Sequence, residues 1–295
     1  MLIRPFPWVS VLVTLALAGP APATALRQPK PAPALRDLGA IVRFDLYQGY
    51  FIVAHGSAGP LKDLNFFLDT GTSVAVLDSR IARKLNLHGE EPASIVILGG
   101  RDQGEYANLP SLEFGPLQCS NLQVITADLS FFQKAIPVRI DAIVGLDVLG
   151  QSPFVIDYSA RAIRFGPPPA LRVSVPLRLD RGLAVLDAQI DSTPVHLLFD
   201  TGASSLIVFS KAVPQGPAGK GDSALAAEAI GSFESKQVWL SSLRLGRKRF
   251  RQKPALMASN PKPSQLDFDG LMSPTALGIS QVAVDLQQGV LAFGR

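Results

Sequence analysis

The sequence has a single cysteine, Cys119, so no disulfide can form within the chain. A lone thiol is more often a buried core side chain than a nucleophile, and we predict a core position for Cys119. Histidine is also scarce, and His55, His88 and His196 do not show the spacing of a metal site. We therefore expect no metal centre and a fold held together by its apolar core alone.

Charge is also sparse, with 18% charged residues, 47% hydrophobic residues and a formal net charge of +4. This composition suits one large or two modest globular domains and is not that of a disordered chain. The one basic concentration, Arg244–Lys253, alternates around Gly246. It predicts a hairpin with a solvated basic face, with contact to anionic lipid or polymer as the alternative. We expect no nucleic-acid partner, and because no Gly-rich phosphate loop is present we expect no cofactor.

Residues 1–25 differ in character from the rest of the chain. Arg4 gives a positive start, Trp8–Ala18 is apolar, and small residues end the segment at Ala25. This pattern is typical of a secretory signal peptide, with a membrane anchor as the alternative, although the apolar run is shorter than the roughly 20 residues of a spanning helix. The prediction is an exported protein, periplasmic or secreted, with no stable anchor after cleavage. Residues 26–38 form a Pro-rich linker.

Two apolar stretches, Asn65–Ser73 and His196–Ser204, each contain an Asp-Thr-Gly triplet. An apolar run predicts a buried strand and the glycine predicts a tight turn, so Asp69 and Asp200 would lie at the mouth of a packed sheet. A buried carboxylate shifts its pKa or finds a partner, and the simplest partner for each aspartate is the other. Two Asx-type turns closing two hairpins are the alternative interpretation.

The two triplets belong to a longer internal repeat. Asp69 and Asp200 are 131 positions apart, and further along the chain the offset becomes 128. The residues matched by these offsets are Ser79 with Ser210, Gly100 with Gly231, Gly115 with Gly246, Asp141 with Asp269, and Asp157 with Asp285. The repeat predicts duplicated halves at residues 39–166 and 173–295, joined by a Pro-rich connector at 167–172. The pattern within each half is all β with few short helices, one of which Ser79 could cap.

A pseudo-two-fold axis between two such halves would bring the carboxylates together in one cleft. Two carboxylates within a few ångströms share one proton over a wide acidic range. The ionised member can take a proton from a water while the protonated member donates to the carbonyl under attack. This chemistry hydrolyses an amide without a covalent enzyme intermediate.

At these residues the sequence resembles the pepsin and retropepsin superfamily, above all its bacterial, exported, retropepsin-like members. The resemblance covers about residues 41–295 and rests on the two Asp-Thr-Gly turns, on Ile143-Val144-Gly145, and on a glycine-bearing segment in each half. It implies an all-β, bilobal acid protease fold made of two duplicated lobes with the active site between them. It also implies an aspartic endopeptidase that acts as a monomer on peptide or protein substrates.

The resemblance implies that Asp69 and Asp200 are the catalytic pair. The residues that would support this dyad are Thr70, Gly71, Thr72, Thr201 and Gly202. The two threonines that directly follow the aspartates would cross-brace the turns through their hydroxyls, and the two glycines would let the backbone approach the bound water. Flap hairpins would close over the substrate at Gly99, Gly100 and Gly231.

The second half departs from the family pattern. Ser273 stands where the first half has Gly145, Pro274 follows it, and residues 214–221 replace the helix expected after the motif. These changes keep a second hypothesis open, a catalytically weak or inactive peptide-binding module. A two-carboxylate glycosidase ranks last, because its carboxyl groups would have to be at least about 5 Å apart.

Overall fold

A computed structural model describes residues 14–15, 40–97, 100–212, 223–227, 232–259 and 267–294. Most of the predicted signal peptide and linker, the flap glycines Gly99 and Gly231, and the segment 214–221 lie outside the described residues. Within the described parts, no helix is long or apolar enough to span a membrane.

The described chain is almost entirely β, as predicted. The strands are β1 Thr14–Leu15, β2 Ile41–Tyr47, β3 Phe51–Ala58, β4 Leu61–Leu68, β5 Val76–Asp78, β6 Glu91–Ile97, β7 Gly100–Phe114, β8 Leu117–Ala127, β9 Ala142–Val144, β10 Phe154–Asp157, β11 Ala162–Phe165, β12 Val173–Asp180, β13 Leu183–Ile190, β14 Thr193–Phe199, β15 Ile207–Phe209, β16 Ser223–Ala227, β17 Ser232–Leu245, β18 Lys248–Ala258, β19 Gly270–Met272, β20 Gln281–Asp285 and β21 Val290–Gly294. The helices are α1 Ser79–Lys84 and α2 Leu146–Leu149, with 3-10 turns at Ser130–Lys134 and Ser210–Ala212.

The same strand pairings occur in both halves. In the first half β4 runs parallel to β9, β5 runs parallel to β8, and β5 runs antiparallel to β9. In the second half β14, β15, β18 and β19 form the corresponding pairs, in registers that match at the offsets of 131 and 128. The structure thus pairs Phe66 with Ala142 and, at the equivalent positions, Leu197 with Gly270.

A six-stranded antiparallel sheet connects the halves in the order β2, β11, β10, β20, β21 and β12. At its centre Phe154 faces Val284 and Ile156 faces Val282. Since Val282 and Val284 stand at the repeat positions of Phe154 and Ile156, this central contact has the self-complementary form of a two-fold interface. The first half joins the second in this sheet through the pairing of β10 with β20.

The strands that lead to the two aspartates are buried on both faces. Phe66 and Leu68 of β4 pack into a core that extends through both halves, whereas Phe67 packs into a separate cluster of the first half. Leu197 and Leu198 of β14 divide in the same way between the shared core and a second-half cluster. Burial on both faces explains why these strands are unbroken apolar runs in the sequence.

The structure also tests the predictions made for Cys119, for Asp157 and Asp285, and for Ser79. Cys119 is buried in the shared core, as predicted, where it accepts a hydrogen bond from Gln151 Nε2 at 2.9 Å and burial raises its pKa to about 11. Asp157 and Asp285 accept backbone N–H bonds within their turns, which confirms them as turn formers. The prediction of Ser79 as a helix cap was wrong, because the carboxylate of the preceding Asp78 accepts from Arg80 N and Ser79 is the first helical residue.

Candidate active site

The two Asp-Thr-Gly turns begin where β4 and β14 end. The backbone N–H of Asp69 donates to Val144 O at 3.1 Å, and that of Asp200 donates to Met272 O at 3.1 Å. Each aspartate is therefore fixed by the strand that runs parallel to its own. Both aspartates are completely buried.

Reciprocal threonine contacts connect the two turns. The Thr70 N–H donates to Thr201 Oγ1 at 3.1 Å, and the Thr201 N–H donates to Thr70 Oγ1 at 3.0 Å. Each hydroxyl then donates to a strand carbonyl of the opposite half, Thr70 to Phe199 O at 3.0 Å and Thr201 to Leu68 O at 3.1 Å. Four hydrogen bonds between residues about 130 positions apart thus fix the relative position of the turns.

The glycines of the motif leave room for the opposite carboxyl group. A Cβ placed on Gly71 would lie 2.8 Å from Asp200 Cγ, and a Cβ placed on Gly202 would lie 2.8 Å from Asp69 Cγ. These distances are shorter than a non-bonded carbon contact, so no side chain fits at either position. These glycines were expected to let the backbone come close to the bound water. In the structure each glycine is in contact with the opposite aspartate.

The two carboxyl groups have different hydrogen-bond donors. Asp69 Oδ1 accepts from Gly71 N at 2.8 Å, and its Oδ2 accepts from the Thr72 hydroxyl at 3.0 Å. Asp200 Oδ1 accepts from the N–H groups of Gly202 at 2.7 Å and Ala203 at 3.1 Å. Asp200 Oδ2 is buried and accepts from no N–H or O–H donor within the described part of the chain, whereas the two carboxyl groups share a hydrogen bond with each other. The difference arises because Ala203 has no hydroxyl at the repeat position of Thr72.

Burial and mutual repulsion both raise the affinity of this pair for protons. Burial raises the pKa of Asp69, and the hydrogen bonds from Gly71 and Thr72 oppose the increase. Burial, followed by the negative charge of Asp69, raises the pKa of Asp200 well above the ordinary range of an aspartate. The carboxyl group whose Oδ2 accepts from no N–H or O–H donor is therefore the one that holds a proton more tightly.

Three further titratable residues near the site were missed by the sequence analysis. Burial raises the pKa of the Tyr50 and Tyr158 hydroxyls, and the charge of Asp200 adds to both shifts. Burial also raises the pKa of Asp147 to about 7, although its carboxylate accepts from Ala75 N at 2.8 Å and Val148 N at 3.0 Å. The one sequence signal for Asp147 is its place two residues after the Ile143-Val144-Gly145 element.

The first-half turn is supported by α2. Leu146 N donates to Thr72 O at 2.9 Å, and a Cβ on Gly145 would lie 2.4 Å from that same oxygen. In the second half Pro274 occupies the repeat position of Leu146 and has no N–H to donate.

In the second half Ser273 contacts its own segment, and the strand register next to Asp200 is retained. Ser273 Oγ lies 3.1 Å from Thr275 Oγ1 and accepts from Ala276 N at 3.4 Å, and the whole serine is buried. The parallel register of β14 with β19 is retained, and Asp200 N donates to Met272 O. The serine at the glycine position therefore does not displace Asp200.

The described strands on either side of the predicted flap glycines pair as hairpins. Gly100 is the first residue of β7, which pairs with β6 from Ile97↔Gly100 to Glu91↔Tyr106. In the second half β16 pairs with β17 from Ala227↔Ser232 onwards, at the same offset of 131. Tyr106 lies at the base of its hairpin, and its buried hydroxyl has no hydrogen-bond partner among the described residues.

The three raised carboxyl pKa values predict how stability depends on pH. Asp69, Asp200 and Asp147 hold protons in the folded protein at pH values where the unfolded chain, with aspartate pKa values near 4, has released them. The free energy of unfolding is therefore expected to fall as the pH rises from about 4 to 7, by about 1.4 kcal/mol per pH unit for each retained proton. Urea unfolding across this range measures the slope. A stability that stays level or rises would contradict the assigned directions.

Comparison with known proteins bears on the first half of the chain. A family model described as aspartyl protease matches residues 55–148, from β3 through the Asp69 turn to α2. No protein of curated function matches the sequence. The match supports a protease-like role, and the all-β architecture agrees with a pepsin-like fold.

Proposed function

We propose that this protein is an aspartic endopeptidase that hydrolyses peptide bonds with a water activated by Asp69 and Asp200. The observation that carries the proposal is the contact between two fully buried Asp-Thr-Gly turns from different halves, which leaves one carboxyl oxygen, Asp200 Oδ2, without an N–H or O–H donor among the described residues. We further propose that residues 39–166 and 173–295 are duplicated lobes, since the registers of the strand pairs that carry the two Asp-Thr-Gly turns correspond.

The unequal hydrogen bonding gives each aspartate a distinct role. Asp69 has donors on both oxygens and is the ionised member, which removes a proton from the attacking water. Asp200 carries the shared proton and donates it to the carbonyl oxygen of the scissile bond as the water oxygen bonds to the carbon. The proton taken up by Asp69 then passes to the leaving nitrogen as the carbon–nitrogen bond breaks. Asp200 recovers its proton from the collapsing hydroxyl group, so protons balance over one turnover.

The proposal is tested by the cleavage of an unstructured protein. Activity is expected across weakly acid to neutral pH, because both dyad pKa values lie above the ordinary carboxyl range. A statine-type transition-state mimic is expected to inhibit the reaction. Absence of cleavage at every pH by a protein that still binds the mimic would instead support the non-catalytic peptide-binding module, the second candidate, which the altered Ser273-Pro274 support favours.

The Thr72 hydroxyl is expected to set the acid limit of activity. The change Thr72→Val removes the donor to Asp69 Oδ2, so the charged form of Asp69 is less stabilised and its pKa rises further. The acid limb of the kcat/KM profile should then move to higher pH by about 1 to 2 units. Thr72→Ser keeps the hydroxyl and should leave the limb within about 0.5 unit of the wild type. Equal profiles for the two variants would show that this hydroxyl does not act on Asp69.

Export is proposed on the basis of residues 1–25 alone. We propose that the signal peptide is removed after Ala25 and that the mature protein is periplasmic or secreted and monomeric. Expression of the full chain, followed by N-terminal sequencing of the protein in the exported fraction, tests the cleavage site. An intact N-terminus in the membrane fraction would favour the membrane-anchor alternative.

A further inference from the structure

The far end of the β17–β18 hairpin has a concentration of exposed cations. Arg244 is the last exposed residue of β17, and Arg247 lies in the turn. Lys248, Arg249 and Arg251 follow on β18. The Arg247 guanidinium donates to the carbonyl oxygen of Arg172, which brings a sixth exposed cation to the same place. We call these six residues the basic hairpin end.

The strand register places like charges opposite each other. Arg244 faces Arg249 across the ladder, and Lys248 directly precedes Arg249 on β18. Directly opposed like charges destabilise a β-ladder. Within the described part of the chain none of the six cations forms an ion pair, and the one side-chain partner of Arg244 is the neutral Gln189, whose Oε1 accepts from its Nε at 2.9 Å. The hairpin thus carries positive charges that form no ion pair among the described residues. Their mutual repulsion lowers the stability of the folded protein.

The corresponding hairpin of the first half shows that the fold does not need these charges. The repeat positions of Arg244, Arg249 and Arg251 are Glu113, Gln118 and Ser120, and those of Arg247 and Lys248 are uncharged. The two hairpins have the same ladder, with Glu113 facing Gln118 where Arg244 faces Arg249. The positive charge is therefore particular to the second hairpin and requires an explanation other than folding.

The nearby carboxylates argue against a pocket for a small anion. A groove of about 250 Å³ adjoins Arg244, but the Asp187 carboxylate lines it too and interacts with His196 Nδ1 at 2.8 Å. Asp191, the other close acid, accepts from Ser242 N at 2.8 Å. The acids are on the β13 side, whereas the cations cover the exposed ribbon and its turn. The geometry suits an extended anionic surface better than a bound ion.

The basic hairpin end is remote from the proposed flap. β17 begins at the flap hairpin with Ser232 and reaches the basic turn only at Leu245, the last of its 14 residues. The turn packs on β12 of the six-stranded sheet, since a Cβ on Gly246 would lie 3.2 Å from Ser174 O. A partner bound to the basic hairpin end would therefore leave the flap hairpin free.

We infer that the basic hairpin end docks the protein on an anionic lipid bilayer. Guanidinium groups bind phosphate oxygens in bidentate fashion, and each cation close to an anionic leaflet adds to the binding free energy. Single-stranded nucleic acid would need exposed aromatic rings for base stacking, and the one aromatic residue of the segment, Phe250, is buried. The contact is peripheral and reversible, and it leaves the flap hairpin free. This inference does not depend on the proposed catalytic activity.

Vesicle sedimentation of the protein tests the inference. Vesicles of phosphatidylcholine with about 30% phosphatidylglycerol should bind the wild type, pure phosphatidylcholine vesicles should not, and about 0.5 M salt should release the protein. The triple variant Arg244→Ser, Arg249→Ser, Arg251→Ser should bind roughly 100-fold more weakly. The matched control, Arg83→Ser, Lys84→Ser, Lys134→Ser, removes three exposed cations of the first half and should bind as the wild type does.

Three results would overturn the inference. One is the absence of binding to anionic vesicles at low salt, and another is an equal loss of binding in the control variant. The third is a preference for soluble polyglutamate at the same charge concentration, which would assign the surface to an acidic polymer. Circular dichroism melting of both triple variants shows whether either has lost its fold. If the substituted hairpin melts early, Arg249→Ser alone, with a roughly fivefold expected loss, replaces the triple variant.

Discussion

Replacement of Asp200 by asparagine is expected to abolish peptide hydrolysis and at the same time to raise the melting temperature. Asparagine cannot donate the shared proton to the substrate carbonyl, so kcat should fall by about 10³-fold or more. Its amide oxygen can still accept from Gly202 and Ala203, and its amide nitrogen can donate to Asp69. The variant therefore removes the repulsion between two buried carboxyl groups without leaving a new unpaired group.

The gain in stability should be about 1 to 2 kcal/mol at neutral pH, where the carboxyl pair is most costly. It should diminish towards pH 4, because the wild-type pair is then protonated and the repulsion has already been relieved. Differential scanning calorimetry at two pH values, together with a peptide cleavage assay, measures both effects on the same protein.

A matched control separates the dyad from a general loss of charge. Asp187 is a second-half carboxylate that is largely exposed on the surface, and Asp187→Asn makes the same chemical change there. This control should keep its activity and change the melting temperature little. If Asp200→Asn retains half of the wild-type activity, Asp200 is not the proton donor and the proposed mechanism is wrong.

The sequence predicts the fold well because the repeat and the buried strands produce residue patterns that can be recognised in the sequence. A strand that is buried on both faces must be apolar at every position, and β4 and β14 are visible for that reason. The constant offset of 131 then places the two aspartates at equivalent positions, and the strand registers agree with it. The pairing of β10 with β20 produces no such pattern, because antiparallel apolar strands can pair in many registers.

The candidate site was less predictable, because its chemistry depends on contacts between distant residues. The contrast between Thr72 and Ala203 is visible in the sequence, but its consequence, an oxygen on Asp200 without an N–H or O–H donor among the described residues, appears only once the turns are placed in space. The Asp147 carboxylate accepts a hydrogen bond from the backbone N–H of Ala75, which is 72 positions away in the sequence. The substitution of Ser273 for glycine suggested a weakened second half, yet Asp200 keeps the same backbone bond as Asp69. The departure at this position therefore leaves the backbone placement of Asp200 unchanged.

Substitution of valine for Thr201 is expected to be strongly destabilising at the interface of the two turns. Valine has nearly the same shape as threonine but no hydroxyl, so the Thr70 N–H loses its acceptor and the Leu68 carbonyl loses its donor. Each buried polar group left unpaired costs about 1 to 3 kcal/mol, which gives a loss of about 2 to 6 kcal/mol. This is a large part of the 5 to 15 kcal/mol that stabilises a typical domain.

The conservative variant Thr201→Ser isolates the contribution of the hydroxyl. Serine keeps both hydrogen bonds and loses one buried methyl group, at a cost of about 1 kcal/mol. Chemical unfolding of the two variants should therefore separate them by at least about 1 kcal/mol, with valine the weaker. Because the hydroxyl also fixes the separation of Asp69 and Asp200, any folded valine variant should show a lower kcat, whereas the serine variant should not. Equal stability in the two variants would mean that the methyl group, and not the cross-braced hydroxyl, holds the two turns together.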